Sequence, residues 1–258
     1  MVRGLYTAYT GMINQQARLD VVSNNLANAT TAGFKKEGST SQSFDSVLAI
    51  KIRDGSEGYV DRSIGPMNLG VKIGETYTDF SQGSFKSTGA TYDVAISNKG
   101  FFAISYTNRA GEEQTMYTRD GSFTLNKDGC LVTKDGDFVL GQGGPIMIPT
   151  NTASVAIDEL GQIWADNVYV DKLSLVDFED YNYLEKYGEN LYIAVDGAQM
   201  KDATDATVSQ GYLEMSNVNV VSEMVEMINI SRAYESNQKL ITSIDETLGK
   251  AVTIGQVK

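Results

Sequence analysis

The chain of 258 residues contains no histidine, one cysteine, one tryptophan and three prolines. Without histidine it lacks the commonest general base and the commonest metal ligand. A zinc centre would have to be built from carboxylates and one thiol, which excludes the ordinary zinc sites. Cys130 has no second cysteine to pair with, so no disulfide forms within the chain. It stands in Asp128-Gly129-Cys130-Leu131-Val132, a turn leading into a strand, and reads as a small packed hydrophobe rather than a nucleophile. Three prolines are too few for a polyproline linker. No stretch approaches the ~18–20 apolar residues of a membrane helix. Near the start, Arg3 is followed by Gly-Leu-Tyr-Thr-Ala-Tyr-Thr-Gly, which lacks the apolar core of a secretory signal. The chain is therefore expected to be cytoplasmic, or to leave by a route that cleaves no signal.

Basic residues are also scarce: 21 Lys and Arg against 33 Asp and Glu, a net charge of −12. The imbalance is uneven. Residues 1–36 are basic, with Arg3, Arg18, Lys35 and Lys36 against Asp20 alone. The acidic excess lies in the middle, a surface that disfavours nucleic acid and anionic membrane. Opposite signs at the two ends favour their association weakly, and an acidic surface also simply keeps a protein soluble.

What is present is a seven-residue hydrophobic series at each end and neither in the middle. The first is Leu5, Met12, Leu19 and Leu26; the second is Val220, Met227, Tyr234, Ile241 and Leu248. Side chains seven apart stay on one seam of a helix, and an apolar seam is buried against another helix. The pattern predicts helices over 4–29 and from Val218 to about Lys250, about 40 and 50 Å long. Gly33 is expected to cap the first. Glu223 and Asn237 lie between seam positions, where polar residues weaken a coiled coil but fix its register. The competing reading is a pair of ordinary amphipathic helices packed on their own β body.

Residues 76–200 read as short antiparallel strands. Phe101–Ile104, Phe123–Leu125 and Phe138–Leu140 are separated by Asp120-Gly121, Asp128-Gly129 and Asp135-Gly136, dipeptides that favour tight hairpin turns. Further strands are expected around 155–157, 173–176 and 191–195. Residues 36–75 show weak periodicity and read as an extended connector, and 201–212 as a polar return loop. The expected fold class is α+β: long N- and C-terminal helices pairing as a coiled-coil domain (1–35 and 213–258), the connector, and a central antiparallel β-rich domain (76–212).

No Gly-x-Ser-x-Gly, phosphate loop or dinucleotide fingerprint occurs. Carboxylate pairs such as Glu112-Glu113 and Glu179-Asp180 are the raw material of a glycan hydrolase, but adjacent acids are ordinarily solvated surface. Asp135-Gly136-Asp137 lacks calcium-loop spacing. Asn28-Ala29-Thr30 and Asn229-Ile230-Ser231 match a glycosylation sequon within helical patterns and read as chance. No catalytic residue, cofactor site or metal site is expected.

The most specific segment is Ser23-Asn24-Asn25-Leu26-Ala27-Asn28-Ala29-Thr30-Thr31-Ala32-Gly33-Phe34-Lys35. It resembles the N-terminal signature of the bacterial flagellar rod and hook family. Gln210–Val220, containing Ser216-Asn217-Val218-Asn219, resembles that family's C-terminal signature, together with Glu223-Met224-Val225 and Arg232–Glu235. Asp93–Ile96 running to Gly100-Phe101-Phe102, Tyr117–Phe123 and Gly188–Tyr192 resemble its middle. Thr30 stands where the family often has Asn, and Ala90-Thr91-Tyr92 replaces a more usual Asn-x-Leu. Length and the Ser-Asn-Val-Asn-Val run are most similar to the distal rod members.

The resemblance implies a structural subunit that assembles into a helical tube enclosing an export channel and transmitting motor torque. The terminal helices would form the inner, channel-lining domain, and the β domain would face outward. The residues of interest are then the seam positions, and the signature residues Ser23, Asn24, Asn25, Leu26, Asn28, Gly33, Phe34, Ser216, Asn217 and Asn219. The implied partners are further copies of the chain, adjacent rod and hook subunits, the flagellar export apparatus and ring (bushing) proteins. The implied location is the basal body in the cell envelope, reached by export without signal cleavage. Another axial subunit, proximal rod or hook, is the alternative. The connector would add contacts that stiffen the tube, and helices without partner surface would order on assembly.

Overall fold

A computed structural model describes residues 2–50, 63–108 and 111–256. The chain divides into two compact units. One comprises Met1–Leu26, Glu37–Thr78 and Val220–Lys258, the other Ala27–Lys36 and Asp79–Asn219.

The first unit contains α1 (Val2–Ala27), β1 (Glu37–Ser43), β2 (Val47–Ile50), β3 (Ser63–Met67), β4 (Val71–Thr78) and α2 (Val220–Gln256). The two helices form where the seven-residue series lie, and neither contains proline. They run antiparallel. A Cβ built on Gly4 would sit 3.8 Å from Ile244 Cδ1, and one on Gly11 3.1 Å from Asn237 Nδ2. Arg18 pairs with Glu226, and Asn25 Nδ2 donates to Glu223 Oε2 at 3.2 Å. The α1 positions that touch α2 are thus themselves seven apart, one residue before the leucine–methionine series. Gly4 and Gly11 leave room for the Ile244 and Asn237 side chains, and Ala8, Val22 and Ile230 are buried.

β1 and β4 pair antiparallel from Glu37↔Thr78 to Ser43↔Val71, with an irregularity between Ser39 and Ser41. β2 and β3 pair from Val47↔Met67 onward, and the Phe44 N–H donates to the Gly70 carbonyl at 3.0 Å between the two ladders. The connector is therefore a β-ladder. Its signal is missing from the sequence because β1 is Glu-Gly-Ser-Thr-Ser-Gln-Ser, with no buried face to impose alternation. Asn14 Nδ2 donates to Ser41 Oγ at 3.0 Å, tying β1 to α1. Residues 51–62 of the connector lie outside the described residues.

The second unit runs through β5 (Phe85–Ser87), β6 (Val94–Ser97), β7 (Phe101–Thr107), β8 (Glu113–Thr118), β9 (Thr124–Leu125), β10 (Leu131–Val132) and β11 (Phe138–Gly141). It continues with β12 (Gly144–Pro145), β13 (Val155–Ile157), β14 (Gln162–Ala165), β15 (Val168–Lys172), β16 (Leu175–Phe178) and β17 (Leu184–Tyr187). β18 (Leu191–Ala194), β19 (Met200–Asp202), β20 (Thr207–Gln210) and β21 (Tyr212–Glu214) complete it. All described pairings are antiparallel. The main path is β17-β18-β8-β7-β11-β10-β9, with β16 also on β7. β7 is buried on both faces because adjacent side chains point to opposite sides of a strand. Phe102 joins a cluster with Val94, Ile96, Phe123, Val139, Ile163 and Val208. Phe101 joins the other with Tyr117, Phe178 and Tyr192.

Four local expectations change. α1 ends at Ala27, six residues before Gly33. Asn28–Thr31 form the exit turn, where the Thr31 N–H donates to the Asn28 carbonyl at 3.2 Å. Gly33 serves a close approach instead: at φ +70 its missing Cβ would lie 2.3 Å from the Asp120 nitrogen. The return loop 201–212 holds β19, β20 and the start of β21, short strands that pair with β16, β6 and β5 respectively, with Ala206 and Val208 buried. Asp128-Gly129 and Asp135-Gly136 do form turns with positive φ at glycine, whereas Gly121 is needed because a Cβ there would meet the Val94 carbonyl oxygen at 1.7 Å. α2 continues six residues past Lys250, through Gly255, with no proline there to block helical hydrogen bonding.

Candidate assembly surfaces

Within the helical unit, the seam residues Leu5, Met12, Leu19, Leu26, Met227, Tyr234 and Ile241 are half-buried, while Val220 and Leu248 are exposed. Fully buried positions beside them are largely polar: Asn14, Asn25 and Glu223. Asn25 is saturated by its neighbours. Its Oδ1 accepts from the Glu37 N–H at 2.9 Å, and its Nδ2 donates to the Glu37 carbonyl at 2.8 Å as well as to Glu223. One amide thus joins α1, β1 and α2. A buried amide that satisfies its partners in only one alignment specifies register, which a leucine does not.

The helices also keep apolar stripes in solvent. On α1, Tyr6, Tyr9 and Ile13 are about half exposed and occupy one face, three and four residues apart. On α2, Val221, Val225 and Ile228 form a second such stripe, at 71%, 53% and 52% exposure. Met224, Leu240, Val252 and Ile254 are exposed along the same helix. Contiguous apolar stripes of this kind mark interaction surfaces.

In the β unit, the two signature segments meet. The Gly33 N–H donates to the Glu214 carbonyl at 2.8 Å, and Ala32 bridges Met215. Asn217 Oδ1 accepts from the Lys36 N–H at 2.7 Å, while its Nδ2 donates to the Asp79 carbonyl at 2.8 Å. Phe34 is completely buried, with the Lys186 ammonium 4.1 Å from its ring centroid. Asn28 Oδ1 accepts from the Thr31 hydroxyl, and Ser216 Oγ from the Val218 N–H. Ser23, Asn24 and Asn219 are exposed and Leu26 is half-buried. The signature residues Gly33, Phe34 and Asn217 thus join the strand ends of the β unit.

Beside them lies a charged cluster that sequence reasoning passed over. Lys35 Nζ lies 2.6 Å from Glu214 Oε1, and Arg119 Nη1 3.2 Å from Glu214 Oε2, with all three side chains at most 4% exposed. Lys35 also donates to the Ser81 carbonyl, Arg119 to the Asn98 carbonyl, and the Gly83 N–H to Glu214 Oε1. Arg119 stacks 5.3 Å from the Phe101 centroid. Burial pushes Lys35 below the ordinary lysine range and Arg119 adds to that, against the opposing pull of Glu214. Removing one member of such a buried pair typically costs about 3–5 kcal/mol. Phe34 beside Lys35 and Leu213 and Met215 around Glu214 hint at burial, whereas Arg119 lies between Thr118 and Asp120; nothing in the pattern says that positions 35, 119 and 214 converge.

A cleft of about 670 Å³ in the same unit is lined by Thr31, Lys86, Asp120, Lys134, Tyr187 and Asn190 among others. Among the described residues, no group of three His, Cys, Asp or Glu is placed to hold a metal, and no helix is long and apolar enough to cross a membrane.

Comparison with known proteins agrees with this arrangement at both ends and in the middle. Residues 5–35 match the family model described as flagella basal body rod protein, and residues 95–165 the flagellar hook protein FlgE/F/G D1 domain. Residues 209–254 match the flagellar basal body rod FlgEFG protein C-terminal model. The chain is 37% identical to the flagellar basal-body rod protein FlgG of Bacillus subtilis (strain 168), covering 98% of this chain and 99% of the relative. It is 34% identical to FlgG of Buchnera aphidicola subsp. Schizaphis graminum, over 97% of this chain and 98% of the relative. The flagellar basal-body rod protein FlgF of Caulobacter vibrioides is 35% identical, over 98% of this chain and 97% of the relative. With end-to-end similarity above 30% identity and signature residues that hold the strand ends together, the chain belongs to the bacterial flagellar basal-body rod protein family and is a structural rod subunit.

Proposed function

We propose that this chain is a distal rod subunit that polymerises through its terminal helices into a helical tube. The carrying observation is the pair of exposed apolar stripes, Tyr6–Tyr9–Ile13 on α1 and Val221–Val225–Ile228 on α2. Both lie on helices already joined to each other inside one chain, so the stripes are left for other copies. Contacts between different patches of identical subunits build a helical filament where they do not close into a ring. α1 and α2 act as an antiparallel coiled coil whose polar members, Asn25, Glu223 and Asn237, set the alignment. The seam residues Leu5, Met12, Leu19, Leu26, Val220, Met227, Tyr234, Ile241 and Leu248 form its apolar contacts within and between subunits. The helical unit with its β1–β4 ladder works as one domain and the β unit as the second, with boundaries near residues 26, 36, 78 and 219.

In this reading the tube encloses the export channel and carries motor torque, with adjacent rod and hook subunits at its ends. The export apparatus delivers the chain without signal cleavage, and ring proteins surround the tube in the cell envelope. Similarity to relatives named FlgG supports the distal position, and similarity to FlgF keeps the proximal rod as the alternative. The test is replacement of the chromosomal copy by Leu19→Asp or Ile241→Asp. Either variant is expected to accumulate as protein but to leave purified basal bodies without the corresponding rod segment. Normal rods built from either variant would refute the assignment of these helices. Labelling the wild-type protein and locating the label along the axis by electron microscopy separates distal from proximal placement.

A further inference from the structure

The Lys35–Arg119–Glu214 cluster has a chain order that rod assembly does not require. Both cations precede the anion, and almost a hundred residues separate Arg119 from Glu214. Among the described residues, Glu214 is the carboxylate that pairs with both cations; Arg119 acts electrostatically against Lys35, and Asp79 acts more weakly in its favour. Until Glu214 arrives, closing the β unit would bury two like charges without the carboxylate they share, leaving only the weaker pull of Asp79 on Lys35, a costly arrangement. The same late segment supplies the carbonyl that receives the Gly33 N–H, the Ala32–Met215 bridge and the Asn217 side chain. β20 and β21, which pair with β6 and β5, also lie at this end of the unit.

We propose that this cluster is a completion lock: the cost of burying the Lys35 and Arg119 cations without their shared carboxylate, with their mutual repulsion added, holds the β unit open until Glu214 enters, so the unit closes only when the chain through residue 214 is in hand. A chain that appears from its N-terminus then remains open over most of its length, and closes in one late step that joins its first and last segments.

The test uses the full-length protein and its single tryptophan, Trp164 in β14, whose fluorescence reports the β unit during urea unfolding. Glu214→Gln keeps the side-chain shape and an acceptor for the Gly83 N–H but removes the charge. Its midpoint is expected to fall by about 1 M urea or more, or the folded signal to vanish. The double variant Lys35→Met/Glu214→Gln removes one of the two opposed cations. It is expected to regain more than half of the lost midpoint, or to restore a folded transition where the single variant has none. If Glu214 acts only through its hydrogen bonds, the double variant loses the Lys35–Ser81 bond as well and is no better than the single one. An unchanged midpoint for Glu214→Gln, or recovery of less than half in the double variant, overturns the proposal.

Discussion

Gly33 shows how little freedom the signature residues have. Its positive φ and the 2.3 Å approach of the Asp120 nitrogen leave no room for a methyl group. Gly33→Ala is expected to destabilise the β unit by about 2–4 kcal/mol, the sum of left-handed strain and overpacking. Urea unfolding followed by Trp164 fluorescence measures it, and a loss below about 0.5 kcal/mol would mean that the backbone moves aside at little cost. Asp177 gives a pH signature. Burial pushes its carboxyl upward, but the Tyr181 hydroxyl, the Phe178 N–H and Lys201 together bring it below the ordinary value. A carboxyl depressed in the folded state contributes stability in full above its unfolded pKa, and that contribution fades as pH falls through the folded value. The urea midpoint of the parent should therefore drop more steeply than that of Asp177→Asn below about pH 4. Parallel curves for the two proteins would remove Asp177 from the account.

At the level of elements, the helices were legible because burial of a seam forces a seven-residue repeat. Even so, the α1 positions that touch α2 lie one residue earlier, at Gly4, Gly11, Arg18 and Asn25. A hydrophobicity pattern favours large side chains, and it overlooks glycines, which leave room for a partner's side chain, and polar residues that pair across the helices. The β1–β4 ladder was illegible for the opposite reason: β1 is polar on both faces, and its pairing rests on backbone hydrogen bonds and the Thr40 hydroxyl bonded to the Glu75 backbone. β20 was hidden in a polar run where Val208 is one buried residue among hydroxyls and acids. The charged cluster lay beyond any local pattern, since its members are joined by topology. The exposed stripe on α2 yields the prediction that belongs at this scale. Val225→Asp and Ile228→Asp place charges on side chains about half in solvent, so the urea transition of Trp164 should stay within about 0.5 kcal/mol of the parent. Chemical crosslinking should nonetheless lose its ladder of oligomers. A retained ladder would show that the stripe is not a contact between copies.

For the whole molecule, the division into units changes how the chain should be cut. A fragment limited to 36–210 would discard Phe34, Lys35 and Glu214, leaving Arg119 buried without its carboxylate. Residues 27–219 keep the second unit intact, including Gly33, Phe34, Asn217 and the charged cluster beside them. That fragment lacks both apolar stripes and should remain a monomer at every concentration. The most direct measurement is sedimentation velocity of the full chain, the Val225→Asp/Ile228→Asp variant and residues 27–219 across a concentration series, with electron microscopy of the same samples. The account predicts concentration-dependent tubes or oligomers for the full chain alone, and compact monomers for the other two. Equal association by the full chain and the fragment would place the subunit contacts in the β unit and contradict the assignment of assembly to the terminal helices.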